Sequence, residues 1–340
     1  MTATFRPSML VDKLTAAWPP EKWNGVTVLV AVSGGADSIA LARGLLEIRG
    51  PGEGRIVLGH YNHRLRGAEL DADQAFVEQL GENLRLEVMV GARGGEGETR
   101  RGGDGEKGAS EASLRSLRYE FLAQAASRCG TRFVVTAHTA DDQVETVLMN
   151  ILRGTGLAGL AGIPRARQLT AAATLIRPLL AVSRAEVLNY LRQLNQPFRQ
   201  DSSNASSDFT RNRIRHELFP LLEREFNPQV REAIARLSRL AGEADDEISG
   251  LASDLLHTHV RRTMGGVDIP ITALVQLSDY MARSLLRAAW RWQGWPEQEM
   301  GLDEWDALLA LARDAATPPR MFPGGIRGER ADNVVRLTRP

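Results

Sequence analysis

Cysteine and lysine are nearly missing from this chain of 340 residues: the one cysteine is Cys129, and the lysines are Lys13, Lys22 and Lys107. A single thiol excludes an intrachain disulfide framework and any Cys-x-x-Cys metal or redox pair. No run of about 18 apolar residues is present, so no segment reads as a membrane-spanning helix. The N-terminal residues also lack the roughly 7–15-residue apolar core of a secretory signal, and the expectation is a soluble, cytoplasmic protein. Net charge is absent as well, because 42 Lys+Arg balance 42 Asp+Glu. The positive charge is nearly all arginine and unevenly spread. Between residues 153 and 215 ten arginines face three acids, Glu186, Asp201 and Asp208. That surplus marks either a phosphate-contacting surface or a solvated arginine-rich face.

The chain is organised around residues 26–38, VTVLVAVSGGADS. Residues 26–32 are apolar or β-branched throughout, as in a parallel strand covered on both faces. Ser33, Gly34 and Gly35 supply a tight turn, and residues 39–48 continue as an apolar helix. Free N–H groups in such a loop, together with the helix macrodipole, favour an anion such as phosphate. No lysine follows the glycines, which excludes a Gly-Lys-Ser/Thr P-loop, and the spacing does not fit G-x-G-x-x-G. The pattern S-G-G-x-D-S resembles instead the pyrophosphate loop of the N-type ATP pyrophosphatases, with Asp37 as a helix-capping carboxylate in the plainer reading.

Strands and helices alternate onward from that loop: strands at 55–61, 84–90, 132–138 and near 175–180, helices at 68–83, 111–129 and 184–194. This alternation predicts an α/β fold, a doubly wound and mostly parallel sheet. His60 falls at the carboxyl end of the second strand, where such sheets place ligand-binding residues. Residues 91–108 hold eight glycines and eight charges and read as a flexible surface loop. Arg115 and Arg118 lie beside the apolar stripe of the 111–129 helix, aimed at a nucleotide or at solvent. Asp142 and Glu145, three apart in the first turns of a helix, share a face. They serve as dipole partners, as Mg²⁺ ligands, or as a grip on a cationic substrate. Arg211 and Arg215 share a helical face while Arg213 points elsewhere. The expected organisation is an extension at 1–24, a catalytic domain at 25–227, and a mostly helical domain at 228–340. In the last, a 229–263 helical pattern has a break near Gly242 and a short strand lies at 334–337.

Taken in order, these motifs resemble the tRNA(Ile)-lysidine synthases. They comprise Ser33 to Ser38, the 60–66 segment HYNHRLR, the 111–122 helix EASLRSLRYEFL, TAHTADDQVET at 136–146, the glycine loop at 153–162, and Arg177-Pro178-Leu179. Asp201 to Asn204 and the 211–215 segment RNRIR complete the set. The resemblance covers roughly residues 26–220; the 91–108 loop looks like an insertion and inherits nothing. It implies a PP-loop ATP pyrophosphatase fold and an enzyme that adenylates O2 of the wobble cytidine in a CAU-anticodon tRNA(Ile). The ε-amine of L-lysine then displaces AMP at C2. It further implies ATP and Mg²⁺ as cofactors, a possible homodimer, and tRNA binding by the C-terminal domain. Ser33, Gly34, Gly35, Ala36 and Ser38 are then pyrophosphate-loop residues, Asp37 a Mg²⁺ ligand, and His60 an adenine or ribose contact. Asp142 and Glu145 hold or deprotonate lysine, Arg211 and Arg215 meet the α-phosphate or cytidine, and Arg118 meets the ATP phosphates.

Three rivals share the sheet. A tRNA thiolase needs a reactive cysteine or an iron–sulfur cluster, and Cys129 stands alone. An amidotransferase-type relative needs an ammonia source, and no glutaminase domain is evident. A non-catalytic nucleotide sensor needs the phosphate loop but not Asp142, Glu145 and the 211–215 arginines together.

Overall fold

The computed structural model describes residues 8–62, 68–92, 111–199 and 210–339, and it divides into two compact units, Met1–Ser238 and Arg239–Pro340. The sequence-based division was placed at residue 227; the units part at Ser238, within a helix.

In the first unit, α1 (Met9–Ala17) begins at Ser8, whose side chain accepts from Val11 N, and stops ahead of Pro19 and Pro20. The sheet is built from β1 (Val28–Ala31), β2 (Ile56–Asn62), β3 (Glu87–Ala92), β4 (Phe133–Val135), β5 (Ala166–Gln168) and β6 (Thr174–Ile176). Their order is β3-β2-β1-β4-β6-β5. All neighbours are parallel except β5, which returns antiparallel along β6. The expected mostly parallel, doubly wound α/β sheet is therefore present. Its apolar central strand has helices on both faces. α2 (Ala36–Ile48), α3 (Ala68–Leu84) and α7 (Arg184–Gln193) share one core with α1, in which Leu14, Val30, Ile39, Val77 and Tyr190 are buried. α4 (Glu111–Arg128) closes the opposite core, over Leu29, Val57 and Val134. β5 was not anticipated: it is three residues long, with no fully buried position to give it a periodic signal.

The loop following β4 leads into α5 (Ala140–Leu152), and the glycine-rich 153–162 segment carries a single turn, α6 (Leu157–Leu160). That segment is tied to α5. Gln143 Nε2 donates to Ala161 O at 2.7 Å, Gln143 Oε1 accepts from Ile163 N at 2.7 Å, and Asn150 Nδ2 donates to Gly159 O at 2.8 Å. Further on, α8 (Thr210–Arg213) runs through a π turn (Ile214–Leu218) into α9 (Phe219–Glu225). Pro220 has no N–H to donate, and the ladder widens just before it, with Phe219 N reaching Ile214 O. Val144, Val147, Ile214 and Phe219 form a separate buried cluster that seats this segment on α5.

α10 (Val230–His259) is continuous, so the expected break near Gly242 does not occur; one glycine inside a helix this long costs about 1 kcal/mol and does not end it. In the second unit, β7 (Arg261–Thr263), β8 (Gly266–Pro270), β9 (Arg320–Phe322), β10 (Ile326–Ala331) and β11 (Val334–Thr338) form an antiparallel sheet ordered β7-β8-β11-β10-β9. α11 (Ile271–Val275), α12 (Asp279–Trp292) and α13 (Leu302–Arg313) cover a core holding Trp290, Trp305 and Val335. Beside the expected helices, this unit thus carries a five-stranded sheet of which the sequence showed just the last strand. β7 and β8 are joined by a tight turn at Gly265 (φ 93°), and β10 and β11 by one at Asp332 (φ 51°).

Leu29 lies fully buried in β1. Leu29→Ala is expected to lower the unfolding free energy by about 2–5 kcal/mol, read from urea denaturation.

Candidate active site

The loop between β1 and α2 is held in one shape by its own serines. Ser38 Oγ accepts from Ser33 N (3.2 Å) and donates to Gly35 O (2.9 Å), while Gly35 N donates to Ser33 Oγ at 3.3 Å. Gly34 sits at φ 90°, a conformation open to glycine and strained for other residues. Its carbonyl accepts from Arg199 N at 2.9 Å, so a distant strand-like contact pins the turn. The first-turn N–H groups of α2, at Ala36, Asp37 and Ser38, have no acceptor within the helix and are available to an anion.

Asp37, in that first turn, is ion-paired with Arg184 through Oδ2, while its Oδ1 is buried without a hydrogen-bond partner. Burial raises the Asp37 pKa; Arg184 opposes the rise, and Asp142 and Asp141 add to it. Arg184 in turn donates its backbone N–H to Asp141 Oδ2 at 2.7 Å, joining the start of α7 to the start of α5.

A second cluster forms where α5 meets the 210–218 segment. Asp142 closes a capping box: its Oδ2 accepts from Thr139 N at 2.8 Å and Thr139 Oγ1 at 3.1 Å. Its Oδ1 accepts from Arg211 Nη2 at 2.9 Å. The Glu145 side chain has no exposed surface and is clasped by both arginines. Arg211 Nε lies 2.9 Å from Oε2, and Arg215 donates from Nε to Oε1 (2.5 Å) and from Nη2 to Oε2 (2.9 Å). Burial pulls the Arg215 pKa down, but Glu145 and Asp142 more than offset this and leave it raised. Asp37, Asp141, Asp142, Glu145, Arg184 and Arg215 line one cavity of about 400 Å³.

His60, at the end of β2, is 3% exposed, with Nδ1 2.9 Å from Val32 O and Nε2 buried without a partner. Burial lowers its pKa, so the ring is neutral, donating through Nδ1 and offering Nε2 as an acceptor. His138, just after β4, is also neutral. Burial, opposed by Asp142 and aided by Arg177, Arg118 and Arg115, brings its pKa down to about 3. Arg118 does not line the carboxylate cavity; its guanidinium lies 5.7 Å from the centre of the Tyr119 ring. Burial pushes the Tyr119 phenol up, yet Arg115, Arg177 and Arg118 together bring its pKa down to about 8.

The structure thus brings Asp142, Glu145, Arg211 and Arg215 together, and places Asp37 on the same cavity. Arg213 faces away, paired with Glu217. The 63–66 part of the second motif, the 201–204 loop and residues 93–108 lie outside the described residues. Arg184 has no role in the sequence reading, and Arg177 and Tyr119 enter it only inside the Arg177-Pro178-Leu179 and 111–122 motifs, with no role of their own. Arg184 carries a helix-start signal, following Ser183 in a capping box with Glu186, but nothing local to its sequence announces a carboxylate from α2. Among the described residues, no group of three or more His, Cys, Asp or Glu side chains is arranged to hold a metal. The residues nonetheless fit Mg²⁺ brought by a nucleotide. The orphaned Asp37 Oδ1, beside the free N–H groups that start α2, is a hard oxygen donor, and phosphate and water would supply the rest of such a coordination shell. Cys129 is half-buried, with Sγ 3.9 Å from Ala126 O, and burial pushes its thiol pKa up, the opposite of an activated nucleophile.

Residues 10–222 match the PP-loop domain family. A tRNA(Ile)-lysidine synthase of Rhodopirellula baltica is 33% identical over 337 residues, covering 88% of this chain and 83% of that protein. The synthase of Geobacter sulfurreducens is 36% identical over 319 residues, covering 93% of this chain and 65% of its own length. That of Chlorobaculum tepidum is 33% identical, with 80% and 79% covered. Among solved structures, a U34-tRNA thiolase of Methanococcus maripaludis with a [4Fe-4S] cluster shares the fold, with a TM-score of 0.54 at 21% identity over 68% of this chain and 77% of that one.

Replacing both Arg211 and Arg215 with glutamine strands the buried Glu145 carboxylate. The double variant is expected to lose about 3–5 kcal/mol of stability, and Glu145→Gln less, because the half-buried guanidiniums can rehydrate; urea unfolding measures both. A second expectation concerns Tyr119. Tyrosinate absorbance near 295 nm should appear around pH 8 and vanish in Tyr119→Phe. Because the folded phenol ionises more readily than the unfolded one, stability should rise as pH climbs from about 8 toward 10.

Proposed function

The chain belongs to the tRNA(Ile)-lysidine synthases, and we propose that it joins L-lysine to C2 of the wobble cytidine of a CAU-anticodon tRNA(Ile) through an adenylated intermediate. ATP is cleaved between the α and β phosphates, AMP passes to O2 of the base, and pyrophosphate leaves. The lysine ε-amine then forms the C2–N bond, AMP departs with the C2–O bond electrons, and the amine loses a proton. The observation that carries this reading is the single cavity shared by Asp37 of the phosphate loop and the Asp142 carboxylate. It lets a nucleotide phosphate and a cationic nucleophile approach the same atom.

Each residue then has a task that its surroundings suit. The backbone N–H groups of Ser33 to Ser38 receive the pyrophosphate as charge develops on it. Asp37 is the carboxylate for Mg²⁺, which supplies charge neutralisation between phosphate oxygens when bound. His60 offers Nε2 as an acceptor to the nucleoside. Asp142, about one-fifth exposed and facing the cavity, orients the incoming ammonium and takes its proton. That deprotonation is needed because an amine with a reference pKa near 10.4 is almost wholly protonated at pH 7. Glu145 is fully engaged by two guanidiniums, so its role is to fix Arg211 and Arg215, which face the α-phosphate and the activated base.

The test is transfer of radiolabelled L-lysine to a CAU-anticodon isoleucine tRNA transcript with ATP and Mg²⁺, with CAU-anticodon methionine tRNA as control. Selective labelling is expected. Asp142→Ala should abolish it while leaving ATP binding intact; undiminished incorporation in that variant would remove Asp142 from the mechanism. Pyrophosphate release with another tRNA and no lysine labelling would move the chain to a sister reaction.

A further inference from the structure

A second cationic site lies on the sheet edge beyond the carboxylate cavity, and neither the pyrophosphate loop nor the lysine-binding acids use it. Its centre is Tyr119 on α4. The Arg167 guanidinium, on β5, lies 4.6 Å from the ring centre and that of Arg115 lies 5.6 Å from it, with Arg118 at 5.7 Å. Beside them is Arg177, just after β6, 2% exposed, with Nη1 donating to Pro164 O at 2.7 Å. The Tyr119 hydroxyl is also buried, and Arg177 lowers its pKa through a hydrogen bond as well as through charge. Among the described residues no carboxylate pairs with Arg115, Arg167 or Arg177. Elsewhere in this unit arginines such as Arg184, Arg199, Arg211, Arg215 and Arg231 are matched with acids. Like charges gathered on one aromatic ring repel one another, and an arrangement of this kind is relieved by an anion.

The position on the sheet selects which anion. The phosphate loop follows β1 and His60 ends β2, so the nucleotide side of the edge is β1–β2. The carboxylates follow β4, on the other side of β1, and Arg177 and Arg167 belong to β6 and β5, further out still. With strands about 4.8 Å apart, β6 lies roughly 10 Å from β1, so the cluster flanks the carboxylate cavity on the side away from the nucleotide. Its field reaches the cavity, because Arg115, Arg118 and Arg177 all depress His138, which Asp142 acts on from the other side. Guanidiniums spread over an aromatic face suit a phosphodiester strand.

We propose that Arg115 and Arg167, gathered on Tyr119 beside the buried Arg177, bind the RNA backbone next to the nucleotide being modified and hold its phosphates while the base reaches the cavity. This rests on the tRNA substrate assigned above, and it requires that binding be independent of base sequence.

The experiment measures binding of a fluorescein-labelled CAU anticodon stem–loop, and of a second stem–loop with a different anticodon, to the full chain across a salt series. Mg·ATP binding is measured in parallel by calorimetry. Arg115→Gln, at an exposed position, and Arg167→Gln, at a half-buried one, are expected to weaken both RNAs about fivefold or more and to lower the salt slope by about 0.7–0.9 per lost contact. ATP affinity should stay within about twofold, as for residues that leave the nucleotide untouched. Arg167→Lys, which keeps the charge, should restore most of the slope. Unchanged RNA affinity and slope in both glutamine variants would overturn the proposal, as would a loss confined to ATP, which would assign the cluster to nucleotide phosphates. Failure of the wild-type chain to transfer lysine would overturn the assigned reaction and leave this backbone measurement standing or falling by itself.

Discussion

Glu145 is the constraint on which the site depends. A carboxylate with no exposed surface is tolerated when opposing charge and hydrogen bonds replace the water it has lost. Here both oxygens are occupied by guanidiniums from a segment nearly seventy positions further along the chain. The need to neutralise that carboxylate fixes where α8 and the π turn sit on α5. The buried contacts of Val144, Val147, Ile214 and Phe219 then set the segment's axis. Arg211 and Arg215, one helical turn apart, can converge on one residue; Arg213 cannot, and pairs at the surface instead.

The same logic governs the rest of the cavity. Asp37 pairs with Arg184, whose backbone N–H is bound to Asp141, and Asp141 lies 3.8 Å from Arg231. Every cation here is an arginine, whose planar fork can hold two oxygens and does not lose its charge on burial. Each carboxylate of this cavity is matched to a guanidinium before any substrate arrives, and each of these ion pairs is a pair of exchangeable places. A phosphate can take the place of a carboxylate against a guanidinium, and an ammonium or Mg²⁺ can take the place of a guanidinium against a carboxylate. The reaction proposed here brings both kinds of group at once, so exchange need not leave a buried charge unpaired.

Much of this was legible in the sequence because its signals are local. Residues 28–31 are apolar without interruption, Ser33 to Ser38 follow directly, and Asp142 and Glu145 lie within one helical turn. What escaped was non-local. Nothing near Arg184 announces that it will meet Asp37, and the arginines around Tyr119 come from α4, β5 and β6, which a linear reading does not superimpose. Short strands were lost for another reason: β5, β7 and β9 have three residues each, too few for an alternating pattern to emerge. The break expected at Gly242 failed because the surrounding helical pattern outweighs the propensity of one glycine.

Arginine content alone could not separate solvated faces from ligand sites, and pairing does. In the second unit, Arg283, Arg291, Arg313 and Arg336 each reach an acid, and these account for charge without calling for a ligand. Around Tyr119, Arg115 and Arg167 lie over an aromatic ring with no ion pair to a described acid, and Arg177 beside them is buried. The carboxyl edge of the sheet is thereby divided by charge. It runs from a helix end that accepts phosphate at β1, through the carboxylate–guanidinium cavity after β4, to an unneutralised cationic flank at β6 and β5. Under the reaction and the RNA site proposed above, a nucleotide, the lysine and a polyanionic strand would each take one place along that edge, with the reacting atoms where the three places adjoin.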